Sequence, residues 1–328
     1  MGPRLERLGI DESVRAALEA VPDGLLPGRV VRVEKGYSFV DTEEGDLLAE
    51  PAASILKSRD PMSVPAVGDW VLVRHDEGMD AALIERVLPR RSAIVRRDPR
   101  SEDAPQVLAA NVDLAFLVHS MATRLKPGRL ERELVSVFGG GATPVVVLNK
   151  VDLVEDPTSS ILAVEEVAPN VEVLVTSALL GTGMDELETR LRPGKTGVLI
   201  GPSGAGKSTI VNRLAGEEIR AVGSVREKDH KGRHTTVSRE LVLSPSGGLL
   251  IDTPGLRAFA PWPHPEGLAS VFPDIEELSA ACRFRDCLHL AEPGCAVLAS
   301  VERGDLDGAR LERYRALREE LEGTARKR

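Results

Sequence analysis

The chain has 328 residues and a formal net charge of −9, with 42% hydrophobic and 28% charged residues. That length is too great for one ordinary core and implies two or three domains. The composition is that of a globular protein, and no apolar run approaches the ~20 residues that cross a bilayer. The acidic balance disfavours indiscriminate binding to nucleic acid, although local patches rather than totals decide such contacts.

In chain order, Met1-Gly-Pro-Arg-Leu-Glu-Arg lacks a secretory apolar core, so the cytoplasm is the expected compartment. Residues 11–21 predict a short helix that ends at Pro22-Asp-Gly. Short β-like runs follow at 28–33, 37–40, 69–74 and 81–87, with glycines between them and no long helix. Such spacing predicts a small barrel; an OB-type barrel leads, and an SH3-like one stays open. Arg86, Arg90, Arg91, Arg96, Arg97 and Arg100 then fall within fifteen residues whose only acid is Asp98. By itself such a run is a solvated linker.

The rhythm then changes. Apolar runs at 112–118, 144–148, 171–175, 198–200 and 249–251 read as fully buried strands. Helical patterns, including 129–138 and 184–191, lie between most of them. The alternation implies a parallel sheet covered by helices. Past residue 261 come Pro-rich sequence, a Cys/His cluster and a charged helix over 306–321. Arg303 to Arg328 holds eight basic and six acidic residues, which on its own is a salt-bridged helix. With aromatics at 3%, the cores must be built from Val, Leu, Ile and Ala.

Two motifs carry the chemistry. Gly201-Pro202-Ser203-Gly204-Ala205-Gly206-Lys207-Ser208 has the form G-x-x-x-x-G-K-[ST], follows the strand at 197–200 and opens a helix, with Thr209 next in line. Amides at a helix N-terminus point at phosphates, and Lys207 would reach the β- and γ-phosphates while Ser208 offers a hydroxyl to Mg²⁺. Asn149-Lys150-Val151-Asp152 has the form N-K-x-D at the end of a buried strand. The Asp152 carboxylate can accept from guanine N1–H and its amino group, a pair that adenine lacks. Lys150 can lie over the ring, and Asn149 can tie this loop to the phosphate loop. Ser177-Ala178, ending the strand at 171–176, offers an amide to guanine O6. Strand ends of this kind are where open α/β sheets bind ligands.

Asp252-Thr-Pro-Gly255 ends the run at 249–251; Asp252 would hold Mg²⁺ through water and the Gly255 amide would sense the γ-phosphate. Lys231-Gly-Arg-His-Thr-Thr236 offers further hydroxyls to Mg²⁺, from Thr235 or Thr236, in an element that orders with the γ-phosphate. Leu256 cannot orient a water as a glutamine there would. His234 is the local alternative, and the competing reading is that it packs or meets a partner. The base reader precedes the phosphate loop, the reverse of the usual order.

All three cysteines lie in Cys282-x₄-Cys287-x-His289-x₅-Cys295. Three thiols and one imidazole supply the four ligands of a closed, structural Zn²⁺ site. An odd count and a reducing compartment argue against disulfides.

In this order, N-K-V-D, S-A, GPSGAGKS, RHTT, DTPG and the Cys/His cluster resemble the circularly permuted GTPases that depend on the small ribosomal subunit (RsgA, or YjeQ). The likeness covers nearly the whole chain. It implies an N-terminal extension at 1–24, an OB-type barrel at 25–92, a circularly permuted P-loop GTPase domain of α/β class at 93–261 and a zinc-binding, mostly helical domain at 262–328. It also implies GTP hydrolysis stimulated by the small subunit and its rRNA during late maturation and coupled to release. His234 with Lys207 would be catalytic, Thr236 would join Ser208 and Asp252 on Mg²⁺, and the chain would act as a cytoplasmic monomer cycling between GTP and GDP. The barrel with the arginines of 86–100 would face RNA, and the γ-phosphate sensors would reach the zinc part through residues 256–265. Two other readings stay open: an RNA-binding adaptor that keeps GTP as a structural ligand, and a metabolic or metallochaperone GTPase without an RNA partner.

Overall fold

The structure, a computed structural model, describes residues 2–19, 21–34, 36–58, 60–76, 78, 80–98, 101–215, 239–252, 262 and 264–325. Two short helices come first, α1 (Pro3–Arg7) and α2 (Glu12–Ala17), the second capped by the Asp11 carboxylate accepting from Val14 N at 2.9 Å. Their apolar side chains Leu5, Leu8, Val14 and Leu18 are buried and join the core.

The barrel consists of β1 (Leu26–Glu34), β2 (Tyr37–Thr42), β3 (Gly45–Pro51), β4 (Trp70–Arg74) and β5 (Ala82–Val87), with α3 (Ala53–Lys57) leading out of β3. Strand order runs β1-β2-β3-β5-β4 and closes by β4 pairing with β1. This is the OB-type arrangement expected. β3 was not foreseen, because Gly45-Asp-Leu-Leu-Ala-Glu-Pro alternates poorly and buries only Ala49 fully.

β6 (Ala93–Asp98) and β7 (Ser101–Ala110) form a separate antiparallel hairpin. The α/β part then alternates β8 (Leu114–Ser120), α4 (Pro127–Gly139), β9 (Thr143–Asn149), α5 (Thr158–Val167), β10 (Glu172–Thr176), α6 (Met184–Arg190), β11 (Thr196–Ile200), α7 (Lys207–Ala215), β12 (Arg239–Leu243) and β13 (Leu249–Asp252). β10, β9, β8, β11 and β13 are parallel in that spatial order, and β12 is antiparallel to β13. Period-two alternation splits their side chains between the faces. Phe116, Val118, Val145 and Val147 pack with Leu187 of α6 and Ile210 and Leu214 of α7. Ala115, Leu117, Val146 and Leu148 face Leu130 and Leu134 of α4 and Val164 of α5. β12 also pairs with β1 (Arg32 opposite Glu240, Val33 opposite Arg239), so among the described residues barrel and central sheet are one continuous eleven-stranded sheet.

Beyond Trp262 the chain forms α8 (Pro265–Val271), α9 (Pro273–Ser279), α10 (Ala296–Arg303) and α11 (Gly308–Ala325). α8 lies on α4 at a distance only glycine permits: a Cβ on Gly267 would stand 2.0 Å from the Val135 carbonyl oxygen. α11 is fastened by Arg310, whose guanidinium grips Asp274 through two hydrogen bonds of 2.7 and 2.9 Å and also donates to the Val167 and Val271 carbonyls. Arg313 donates to both oxygens of the buried Glu131 on α4.

Four arginines of the cluster are engaged within the fold, and Arg86 is exposed on β5. Arg90 forks onto the buried Asp69 at 2.7 Å on both arms. Arg91 pairs with Asp11 and Asp113, Arg96 donates to Gln106 across the hairpin, and Arg97 reaches the Glu320 carbonyl of α11. These cations join parts of the fold: Arg96 and Arg97 are carried by β6, a strand the linker reading did not contain, and Arg90 and Arg91 lie in the short connector between β5 and β6. Arg100 lies outside the described residues.

Arg29 of β1 is the deepest of these joints. It donates to the carbonyls of Gly68 (3.1 Å), Leu8 and Asn111 (3.4 Å) and to Thr196 Oγ1 (3.0 Å), and it lies over the Trp70 ring at 5.4 Å. Burial pulls its guanidinium down to about 10, and the nearby charges of Asp113, Asp69 and Asp11 oppose that pull. It therefore stays charged at neutral pH. Hydrogen bonds from a charged donor contribute about 1.5–3 kcal/mol each, enough together to offset the several kcal/mol of ion desolvation. Replacing it with Met keeps the bulk and removes a donor from the carbonyls of Leu8, Gly68 and Asn111 at once, of which Gly68 keeps Asn111 Nδ2. Arg29→Met should lower stability by about 3 kcal/mol, read from the urea midpoint; a shift below about 0.5 kcal/mol would show that the joint is dispensable.

Candidate active site and metal centre

The parallel strands end on one edge of the sheet, and every described motif residue sits there. β9 ends at Asn149, opposite Thr176 at the end of β10 and Ser120 at the end of β8. β11 delivers Gly201–Gly206 and β13 delivers Asp252. The order of the motifs in the chain is thus erased at this edge.

Asn149 is the hub. Its Nδ2 donates to the Ala205 carbonyl at 2.9 Å, and its Oδ1 accepts from Thr176 Oγ1 at 3.1 Å and Ala178 N at 3.0 Å. Its own carbonyl accepts from Met121 N at 2.9 Å. Base loop and phosphate loop are so close that a Cβ on Gly206 would lie 2.2 Å from Asn149 Nδ2. With φ at 99° Gly206 is also in a region that favours glycine. Lys150 adopts φ 69°, left-handed for a non-glycine residue. Asp152 is exposed, and its carboxylate accepts from the hydroxyl of the fully buried Ser177. That bond aims the carboxylate at the edge.

In the phosphate loop, Ser203, Gly204, Ser208 and Thr209 are exposed while Ala205 is buried. Lys207 opens α7, and its Nζ donates to the carbonyls of Gly201 (2.7 Å) and Pro202 (2.8 Å), which centres the ammonium at the mouth of the loop. Burial pushes the Asp252 carboxyl above its usual range, and the Lys207 charge partly counters this. The two motifs thus place a cation and a carboxylate close enough at this edge for their charges to interact. His234, Thr235, Thr236, Gly255 and Leu256 lie outside the described residues. Thr176 and Met121 were missed by motif reading. The only signal for Thr176 was its place directly before Ser177-Ala178.

The metal-ligand set also converges. Sγ of Cys282, Cys287 and Cys295 and a ring nitrogen of His289 all lie within 4.8 Å of one another. Cys282 Sγ is 3.9 Å from Cys295 Sγ, and His289 Nδ1 is 3.7 Å and 3.4 Å from these two sulfurs. A tetrahedron with zinc–ligand bonds of 2.3 and 2.0–2.1 Å has edges of about 3.5–3.8 Å, so the donor set fits Zn²⁺. His289 holds φ 59°, a conformation costing roughly 1 kcal/mol that a shared ligand would offset. The turn is braced by Glu292, whose carboxylate accepts from the amides of Leu288, Leu290 and Ala291 and is pulled down to about 2 by them, the Leu288 amide foremost.

Comparison with known proteins agrees with this geometry. The family model described as RsgA GTPase matches residues 87–262. A protein of Streptomyces avermitilis named small ribosomal subunit biogenesis GTPase RsgA is 48% identical over 298 residues, covering 90% of this chain and 79% of that protein. A namesake from Xanthomonas axonopodis pv. citri is 41% identical over 320 residues, 97% of this chain and 86% of its own length. Among solved structures, YjeQ from Thermotoga maritima superimposes with a TM-score of 0.64 at 27% identity, covering 91% of this chain and 99% of that one. YloQ, titled a circularly permuted GTPase, gives 0.62 at 26% identity, with 92% and 96% covered.

The Asn149 network makes a direct prediction. Thr176→Val removes the hydroxyl and keeps the shape, leaving Asn149 Oδ1 with one donor. A lost bond of about 1 kcal/mol corresponds to roughly fivefold weaker GDP binding, measured by titration of a fluorescent guanine nucleotide. Unchanged affinity would show that Asn149 is held without it.

Proposed function

The chain belongs to the RsgA GTPase family and hydrolyses GTP, and from that premise we propose that it acts in maturation of the small ribosomal subunit, with turnover stimulated by the subunit and coupled to release. The observation that carries the reading is the convergence of the base loop, the phosphate loop and Asp252 on one sheet edge. Relatives that are 41–48% identical and named for small ribosomal subunit biogenesis support the subunit as partner. Among the described residues no helix is long and apolar enough to cross a membrane.

In this reading Asp152 accepts from guanine N1–H and the amino group, the Lys150 stem covers the ring, and Ser177-Ala178 meets O6. The amides of Gly201–Gly206 wrap the phosphates, Lys207 reaches the β- and γ-oxygens, and Gly255 senses the γ-phosphate. Ser208, Thr236 and Asp252 would hold Mg²⁺, which neutralises charge building on the phosphate oxygens. His234 orients the attacking water that Leu256 cannot. Cys282, Cys287, His289 and Cys295 hold a structural Zn²⁺, whose free energy of binding supports a short, weakly apolar segment. The rRNA would meet the barrel, where Arg32 lies 3.8 Å over the Phe39 ring, an arrangement suited to stacked bases. Leu256 favours one other reading, an RNA-binding adaptor with GTP as a structural ligand.

Phosphate release with purified small subunits separates the two. Wild-type turnover should rise about tenfold or more, and His234→Ala should not respond although it binds GTP; no acceleration of the wild type at saturating subunits would overturn subunit-stimulated turnover. Asp152→Asn should shift preference from guanine towards xanthine nucleotides, because an amide donates where the carboxylate accepted. Retained guanine selectivity would sink the base-reader assignment.

A further inference from the structure

We propose that Arg315 and Arg318 of α11 form a cationic clamp on the Cys282, Cys287, His289 and Cys295 set, positioning these ligands and offsetting the negative charge they carry with zinc. The inference rests on zinc occupying that set, as proposed above. Three thiolates, one neutral imidazole and Zn²⁺ sum to a charge of minus one. Three of the four ligands are buried, Cys287 and Cys295 6% exposed and His289 2%, while Cys282 is partly exposed. An enclosed charge needs a partner close at hand.

α11 runs across the knuckle and supplies two cations there. The Tyr314 ring stands 6.2 Å from the His289 ring, and Arg318 Nη1 donates to the Cys287 carbonyl at 3.2 Å. Arg315 lies between them in the helix, three residues from Arg318 and therefore on the same face. Arg318 is also tied to Glu322 at 2.7 Å, which holds it in place. Arg315 uses one nitrogen, Nη1, on Glu312. Its Nε and Nη2 are buried without a hydrogen-bond partner among the described residues. Burying two donors of a cation with no acceptor is costly unless an anion lies close, and the ligand set lies beside this helix, reached by Tyr314 at His289 and by Arg318 at the Cys287 carbonyl. Partners of this kind outside the ligand set orient ligands and tune affinity.

The test uses the full-length protein and a chromophoric zinc chelator in competition. Arg315→Met and Arg318→Met should each weaken zinc binding about tenfold, and Arg315→Lys and Arg318→Lys, which keep the charge, should recover most of it. The clamp is overturned if the Met variants hold zinc within about twofold of wild type, or if the Lys variants lose as much as the Met variants, since packing alone would then be responsible. GDP affinity, measured in parallel, reports that the α/β part is intact in each variant. Wild-type protein purified without zinc would overturn the site and the clamp together, whereas zinc-replete wild type with indifferent variants overturns the clamp alone.

Discussion

One side-chain amide makes a single site out of segments that the chain order keeps apart. Asn149 donates to Ala205, 56 positions later, and accepts from Thr176 and Ala178, so three loops share one residue. Closing a loop of that length costs roughly 3–4 kcal/mol of chain entropy, and three buried hydrogen bonds near 1 kcal/mol each roughly offset it. They therefore do not build the edge alone. The parallel register of β8, β9, β10 and β11 delivers the loops, and the amide locks them. Aspartate there would lack the donor for Ala205, and glutamine would push the loops apart at the point where Gly206 leaves no room for a Cβ.

What could be read from the sequence follows from the range of each interaction. The phosphate loop, the base reader and the metal-ligand set were legible because their chemistry lies within a few residues; the four metal ligands span only Cys282 to Cys295. Continuous apolar runs marked β8, β9, β10, β11 and β13 because strands buried on both faces lack alternation. Long-range joints left no local trace. Arg29 meets Leu8, Gly68, Asn111 and Thr196, and nothing in Pro27-Gly-Arg-Val-Val tells it from an exposed strand residue. The arginines of 86–100 misled for the same reason: a run of cations looks solvated until the fold shows Asp69, Asp113 and Glu320 beside it. β12 escaped notice because Arg239-Glu-Leu-Val-Leu is short and opens with two charges, yet it is the strand on which the two sheets meet.

That meeting has a mechanical consequence. β12 is bonded to β13, which ends at Asp252, and on its other side to β1 of the barrel. Glu240 sits in the middle of a charge sequence: burial raises its carboxyl, Arg32 across the β1 pairing lowers it, and Asp252 across the β13 pairing raises it again. The barrel cannot turn against the α/β part without breaking this pairing and the Arg29 bonds, so the two respond as one body. Residues 231–236 lead along the chain towards Arg239, the first residue of β12, which lies opposite Val33. The C-terminal helices hang on different fasteners, the contact of α8 with α4 and the arginines of α11 on Glu131 and the Val167 carbonyl.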